Sequence, residues 1–145
     1  MAKVSICVPT YNNASEVERL LQSVHRQNYT DYEVNISDDS TNEETAELIE
    51  WIRTEWSWQD KLHYIHNEKP LGHIYNWNAA IKMAAGEYIK IMFSDDWFTD
   101  SDSLGTFVSM LDEHPKANLA FSGSMQVLLD GQDIEQVKHL NKQVT

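Results

Sequence analysis

The sequence from Tyr88 to Trp97 reads Tyr-Ile-Lys-Ile-Met-Phe-Ser-Asp-Asp-Trp, an apolar run that ends in two adjacent carboxylates. The run 88–93 has the length and the β-branched content of a strand buried in a sheet. In open α/β sheets, ligands bind beyond the carboxyl ends of the strands, which is where Asp95 and Asp96 would lie. Two neighbouring carboxylates repel each other unless a positive group lies beside them. We therefore expect Asp95 and Asp96 to help hold a divalent metal ion and a nucleotide diphosphate.

Strands and helices are predicted to alternate along most of the chain. Alternating apolar residues predict strands, and apolar residues at helical spacing lie between them. The predicted strands are Lys3–Val8, Tyr32–Ile36, Leu62–His66, Tyr88–Phe93 and Leu119–Ser122. An edge strand is predicted at Met125–Leu129, followed by a polar tail. The sequence thus predicts one α/β domain over residues 1–124, and an edge strand with a polar tail over residues 125–145.

The predicted strand order places three polar loops at one edge of the sheet. Alternating strands and helices imply right-handed crossovers and a mostly parallel sheet flanked by helices. If the fourth strand lies beside the first, the order is 3-2-1-4, and a ligand crevice opens between these two strands. The loops that carry Thr10-Tyr11, Asp38-Asp39 and Asp95-Asp96 would then border the same crevice.

Composition and charge exclude several classes of function. The 145 residues suffice for one domain with a core. Lys and Arg number 11 against 23 Asp and Glu, and the net charge of −12 with no basic cluster argues against a nucleic-acid surface. The single cysteine, Cys7, cannot form an internal disulfide, and no apolar run approaches the roughly 20 residues of a membrane span. We therefore expect a cytoplasmic domain with no nucleic-acid partner and no membrane span.

The two acid pairs differ in the contacts that they can make. Mg²⁺ and Mn²⁺ prefer oxygen ligands, and adjacent strand residues point to opposite faces, so only one of Asp95 and Asp96 would face a metal ion. A carboxylate also accepts an N–H from a base edge such as the imide of uracil. We assign that role to Asp39, whereas Asp38 would bond the following turn. Both pairs can alternatively cap the helices that follow them, but two pairs at one predicted crevice favour ligand binding.

Three further segments occur in a recognisable order and spacing. They read Val4-Ser-Ile-Cys-Val-Pro-Thr-Tyr-Asn12, then Tyr32-Glu-Val-Asn-Ile-Ser-Asp-Asp-Ser-Thr-Asn42, then Ala79-Ala-Ile-Lys-Met-Ala-Ala-Gly-Glu-Tyr-Ile89 running into Ser94-Asp95-Asp96. Together they resemble the family 2 glycosyltransferases, whose GT-A fold is a Rossmann-like α/β fold. The resemblance implies a nucleotide-sugar donor, usually a UDP-sugar, and Mn²⁺ or Mg²⁺ as the cofactor.

The resemblance also implies roles for individual residues. Its nucleotide-binding positions correspond here to Pro9, Thr10, Tyr11, Asp39 and Asp95. Among these, Asp39 would contact the base and Asp95 would lie near the ribose, while Asp96 would bind the metal ion. Phe93 occupies a position where the family often carries a further Asp, so metal binding would rest on fewer carboxylates.

In the family, a metal ion stabilises the departing diphosphate, and a carboxylate acts as the general base as the sugar carbon inverts. That base comes from a later segment together with the acceptor-binding half, so no catalytic residue is assigned. Residues 125–145 would lead toward that half, and residues 1–124 would be the donor-binding portion. The expected acceptor is a carbohydrate or a lipid-linked molecule. The expected setting is polysaccharide biosynthesis in the cytoplasm or at the inner face of the membrane, and a homo-oligomer is left open.

Two other functions compete with this interpretation. A signalling receiver is also a small doubly wound domain with paired acids and magnesium, but its acid pair follows the first strand and a phosphorylated Asp follows the third. Here the first strand ends in Pro9-Thr10 and the third in His66-Asn67, which is the wrong order. A non-catalytic module that binds a nucleotide-sugar remains the second alternative.

Overall fold

The structure, a computed structural model, describes residues 1–124 as a parallel sheet with helices between its strands. The elements in chain order are β1 Val4–Thr10, α1 Ala14–His25, β2 Tyr32–Asp38, α2 Glu44–Glu55, β3 Leu62–His66, α3 His73–Lys82, β4 Tyr88–Ile91 and α4 Ser103–Glu113. All strand pairs are parallel, and the sheet order β3-β2-β1-β4 confirms the predicted order. The chain forms two compact units, Met1–Thr106 and Phe107–Thr145, and the predicted division at residue 124 stays a prediction.

The apolar core lies on the face of the sheet that packs against α1 and α2. Val4 and Tyr32 are register partners on this face, and the Tyr32 hydroxyl donates to the Val24 carbonyl of α1 (3.3 Å). The helices contribute buried apolar side chains in turn, namely Val17, Leu20, Leu21 and Val24 of α1 and Ile49 and Ile52 of α2. Because these positions recur at helical spacing, their burial follows directly from the sequence pattern.

The opposite face of β1 and β2 is polar, and it is nevertheless covered. The Glu33 carboxylate accepts hydrogen bonds from the Ser5 hydroxyl (2.7 Å), the Asn35 amide (3.1 Å) and the Ala85 N–H (2.9 Å). Gly86 lies so close to β1 that a Cβ there would be 2.8 Å from the Ser5 nitrogen. The backbone after α3 therefore covers this face through hydrogen bonds and requires glycine at that position.

Glu33 should make stability depend on pH. Burial by itself would raise the pKa of Glu33, but its hydrogen bonds and the neighbouring His63 outweigh burial and lower it below 4.5. The folded pKa is thus below the unfolded one, so the charged carboxylate stabilises the fold above pH 4.5, and this contribution is lost as the pH falls through the folded pKa. We expect Glu33→Gln to lower the free energy of unfolding at neutral pH by about 1–2 kcal/mol.

Urea unfolding at neutral pH, and again well below pH 4.5, measures this contribution. The difference between the Glu33→Gln variant and the parent should shrink in acid. Glu68→Gln, at an exposed position, is the matched control and should cost little at either pH. A difference that stays constant, or grows, toward low pH would contradict the assignment.

Two sequence predictions at the end of the sheet are wrong. β4 ends at Ile91 rather than Phe93, and it is an edge strand among the described residues, with Ile89 and Ile91 exposed by 51% and 40%. The strand stops because the chain turns back, with the Asp96 N–H donating to the Phe93 carbonyl (2.8 Å). No strand forms at 119–122, whose apolar side chains are exposed, because apolar alternation without a paired neighbour does not make a strand.

The predicted edge strand Met125–Leu129 lies outside the described residues. Between Met1 and Ser124, no helix combines the length and the apolar character needed to cross a bilayer.

Candidate functional site

The loops that follow β1, β2 and β4 contact one another at the carboxyl edge of the sheet. The Asp39 N–H donates to the Thr10 carbonyl (3.0 Å), which joins the loops after β2 and β1. Asn13, just before α1, accepts a short hydrogen bond from the Thr10 hydroxyl and donates a second one to the Ser94 hydroxyl. The structure thus brings the predicted loops together, and Asn13 is the link between the β1 and β4 loops.

Asp38 belongs to the framework of the turn that follows β2. It is fully buried, and its carboxylate accepts from the Ser40 N–H (2.8 Å) and from the Tyr64 hydroxyl (2.8 Å). Burial, followed by this hydrogen bond, raises the pKa of Tyr64 above its ordinary range. Both oxygens of Asp38 are therefore engaged inside the protein, as the sequence predicted for this residue.

Asp39 anchors the loop that follows β3. Its side chain is only 3% exposed; Oδ1 accepts from the Asn67 amide (2.9 Å), and Oδ2 accepts from the N–H groups of Leu71 (3.0 Å) and Gly72 (2.9 Å). Gly72 has φ +84°, in the left-handed region that favours glycine. Asp39 thus holds a loop from which two backbone N–H groups and one amide converge on a single carboxylate.

Asn67 and Asn76 complete this part of the edge, and the sequence analysis did not single out either of them. Asn76 of α3 is buried; its amide donates to the Thr10 carbonyl (3.1 Å), and its oxygen accepts from Asn67 (3.4 Å). Asn67 could have been predicted as a site residue, because it directly follows β3 and so lies at the same edge of the sheet as the acid pairs. Nothing in the sequence distinguishes Asn76 from the nearby Asn78.

The predicted residues of β1 differ in their exposure. β1 extends through Thr10, so Pro9 and Thr10 are buried strand residues. The Tyr11 side chain, in the loop directly after β1, is exposed. The Thr10 carbonyl accepts from both Asp39 and Asn76, and it therefore joins the end of β1 to the loop after β2 and to α3.

Asp95 and Asp96 are exposed carboxylates in a tight turn. Asp96 Oδ2 accepts a long hydrogen bond from the Phe93 N–H (3.3 Å), and Asp95 has no hydrogen-bond partner within residues 1–124. Burial lowers the pKa of Lys90, and the charge of Asp96 opposes this shift, so the Lys90 ammonium lies in the field of Asp96. The sequence analysis did not identify this cation.

These two carboxylates suit a divalent cation that takes its other ligands from a bound molecule. No group of three or more His, Cys, Asp or Glu side chains in the described part of the chain is arranged to hold a metal ion. Mg²⁺ is commonly held by one or two carboxylates, with substrate phosphates and water completing its coordination. Asp95 and Asp96, exposed in one turn beside the loop that follows β1, fit that pattern.

Comparison with known proteins identifies the family of this chain. The family model described as Glycosyl transferase family 2 matches residues 5–125. Abequosyltransferase RfbV of Salmonella typhimurium is 34% identical over 111 residues, which cover 75% of this chain and 32% of that protein.

Solved structures give the same result. Staphylococcus aureus TarS in complex with UDP superposes with a TM-score of 0.68 at 31% identity, over 78% of this chain and 33% of that one. A mannosyltransferase from Pyrobaculum calidifontis, in complex with GDP-Man and Mn²⁺, gives 0.66 at 27% identity, over 75% of this chain and 32% of that one. The chain thus spans about a third of each of these proteins. The predicted GT-A fold is confirmed, and the chain belongs to glycosyl transferase family 2.

Proposed function

We propose that this chain is the donor-binding portion of a metal-dependent, inverting glycosyltransferase that uses a UDP-sugar. The observation that carries the proposal is the junction at Thr10, where the Asp39 loop meets β1, with Asn13 extending the contact to the turn of Asp95 and Asp96. At this edge of the sheet, Asp39 would read the base, and the exposed pair Asp95 and Asp96 would face the diphosphate. The solved relatives support it, since their structures contain UDP, UDP-GlcNAc or GDP-Man.

The nucleoside would lie along the β1 and β2 loops. Pro9, Thr10 and Tyr11 would line the pocket, with the exposed Tyr11 ring at its rim. Asp39 Oδ1 accepts one N–H and retains a lone pair that suits the imide N–H of uracil. Asp95, whose carboxylate makes no hydrogen bond within the described residues, would accept from a ribose hydroxyl.

Asp96 would hold the metal ion at the diphosphate. A chain with a net charge of −12 repels a diphosphate, and a cation between Asp96 and the phosphates removes that repulsion. When bound, Mn²⁺ or Mg²⁺ supplies charge neutralisation for the departing diphosphate. The protein's own contribution would be to place Asp96, whose charge acts on Lys90.

No residue within 1–124 is assigned as the general base. Transfer to an acceptor would therefore also need an acceptor-binding half that supplies this base. The acceptor would be a carbohydrate or lipid-linked hydroxyl in polysaccharide biosynthesis, at the inner face of the membrane or in the cytoplasm. Donor binding without turnover would instead make the chain a non-catalytic module. Release of UDP from a UDP-sugar in the presence of acceptor glycans, measured on a longer form of the protein that includes the acceptor-binding half, separates these two functions. Membership of glycosyl transferase family 2 excludes the signalling-receiver function.

Calorimetry of UDP, GDP and dTDP, each with and without Mn²⁺, tests the proposal. We expect UDP to bind most tightly, and Mn²⁺ to strengthen its binding by about tenfold or more, a coupling of about 1.4 kcal/mol. A folded sample that takes up none of the three nucleotides in a Mn²⁺-dependent way would remove the donor-binding function.

A further inference from the structure

Three side chains of the α1 region hold the segment that follows the acid pair. The Arg19 guanidinium lies 4.2 Å from the centre of the Trp97 ring. Four residues later, the buried Ser23 hydroxyl accepts from the Phe98 N–H (3.0 Å). After another four residues, the buried Gln27 side chain donates to the Asp100 carbonyl (2.7 Å) and accepts from the Leu104 N–H (2.9 Å). We call Arg19, Ser23 and Gln27 the α1 strap.

The turn that carries the acids is therefore held on both sides by α1 and the residues that flank it. Asn13 binds the buried Ser94 immediately before the acids, and the α1 strap binds the chain immediately after them. Asp95 and Asp96 themselves have almost nothing to orient them, since the only hydrogen bond to either carboxylate within residues 1–124 is 3.3 Å long. Their direction thus depends on the contacts of the neighbouring residues.

The contact between Arg19 and Trp97 leaves one buried donor of the arginine without a hydrogen bond in the described part of the chain, which lowers stability. Arg19 Nε is buried without a hydrogen-bond partner within residues 1–124, and a buried donor left unpaired lowers stability. A guanidinium over an indole face gains a cation–π interaction, and its flat shape allows stacking that an ammonium cannot reproduce. It also places a positive charge against the residue that follows Asp96. An apolar side chain would pack there without an unpaired donor, so packing alone does not explain the arginine.

We propose that Arg19 and Trp97 are positioning residues of the metal-binding turn: their stack, continued by Ser23 and Gln27, holds Asp96 in the direction that a cation on the donor diphosphate requires. This inference rests on the proposed function. Neither residue contacts the nucleotide or the metal ion in this scheme, and both act through the backbone between Ser94 and Phe98.

The test compares Arg19→Met and Trp97→Leu with the conservative variants Arg19→Lys and Trp97→Phe. UDP binding is measured by calorimetry with and without Mn²⁺, and thermal unfolding is measured alongside. We expect the affinity for Mn²⁺ in the presence of UDP to fall about tenfold in the Met and Leu variants, as is typical when groups that orient a metal ligand are lost. UDP binding without metal should stay within about twofold of the parent. Trp97→Phe, which keeps an aromatic face, should recover most of the Mn²⁺ affinity.

Trp51→Leu is the matched control, because Trp51 is an exposed tryptophan on α2. Parent-like Mn²⁺ dependence in both Arg19→Met and Trp97→Leu would overturn the proposal. So would an equal loss of binding with and without metal that accompanies a lower unfolding temperature, since that is the signature of a structural role alone. A parent protein that binds no nucleotide would overturn the donor-binding function itself, and that failure is distinct because it precedes any variant.

Discussion

Asp96→Ala is expected to abolish the Mn²⁺-dependent part of UDP binding. The turn offers only two exposed carboxylates, and Phe93 stands where a further acid could have compensated. Groups that merely orient a metal ligand cost about 10- to 100-fold in metal affinity, so the loss of the ligand should cost at least about 100-fold. Binding without metal should instead improve slightly, because one negative charge beside the diphosphate is removed. Calorimetry with and without Mn²⁺ measures both effects, which have opposite signs.

Asp60→Ala is the matched control for this experiment. It removes the same charge from an exposed position just before β3, at the amino ends of the parallel strands and away from the site. We expect Asp60→Ala to leave the Mn²⁺ dependence unchanged. If Asp96→Ala retains the metal enhancement of the parent, or if both variants lose it equally, Asp96 is not the metal ligand.

Asp39→Ala should destabilise the protein and also remove nucleotide selectivity. The buried carboxylate accepts from Asn67, Leu71 and Gly72, and its loss leaves the Leu71 and Gly72 N–H groups without this acceptor. The Asn67 amide keeps its contacts with Ser37 and Asn76. We expect the free energy of unfolding to fall by about 2–3 kcal/mol, since the loop donors can regain hydrogen bonds only by reaching water. Urea unfolding measures this cost.

Asp39→Asn separates the structural role of Asp39 from its role in base recognition, because the amide keeps the shape and one acceptor oxygen. Uracil presents an N–H at the position where cytosine presents an acceptor, so a carboxylate favours UDP over CDP. An amide can donate or accept, and the preference for UDP over CDP should shrink about tenfold, or about 1.4 kcal/mol. Competition between UDP and CDP measures this ratio.

Asp38→Asn is the matched control in the same turn. Its carboxylate bonds Ser40 and Tyr64 within the protein, so this variant should lose stability and keep the UDP preference of the parent. A preference for UDP over CDP that is the same in Asp39→Asn as in the parent would show that Asp39 does not read the base.

Much of the fold was predictable because its signals are local. The strands β1, β2 and β3 alternate apolar residues, and crossover handedness then restricts their order, which the structure confirms as β3-β2-β1-β4. β4 was predicted too long and too buried, because an apolar run does not reveal whether a strand has neighbours on both sides. The strand predicted at 119–122 was wrong for the same reason, because strand formation depends on a pairing partner as well as on the segment itself.

The candidate site was predictable only in outline. Strand ends mark where Thr10, Asp39 and Asp96 must lie, because all parallel strands end at one edge. Their partners were not predictable: Asn67 contacts Asp39 across 28 residues, and Ser94 contacts Asn13 across 81. A hydrogen bond over such a separation leaves no periodic pattern in the sequence.

By itself, then, the sequence determined a parallel α/β sheet and the edge at which its acids gather, because these follow from residue periodicity and chain handedness. The order 3-2-1-4 depended on the fourth strand lying beside the first, which the structure confirms. Only the tertiary structure decided that the Asp39 carboxylate is buried and holds the loop after β3, and that Asp95 and Asp96 remain exposed. The physical reason is that a carboxylate's availability depends on the donors that other elements place against it, and those donors come from loops and helices distant in the chain.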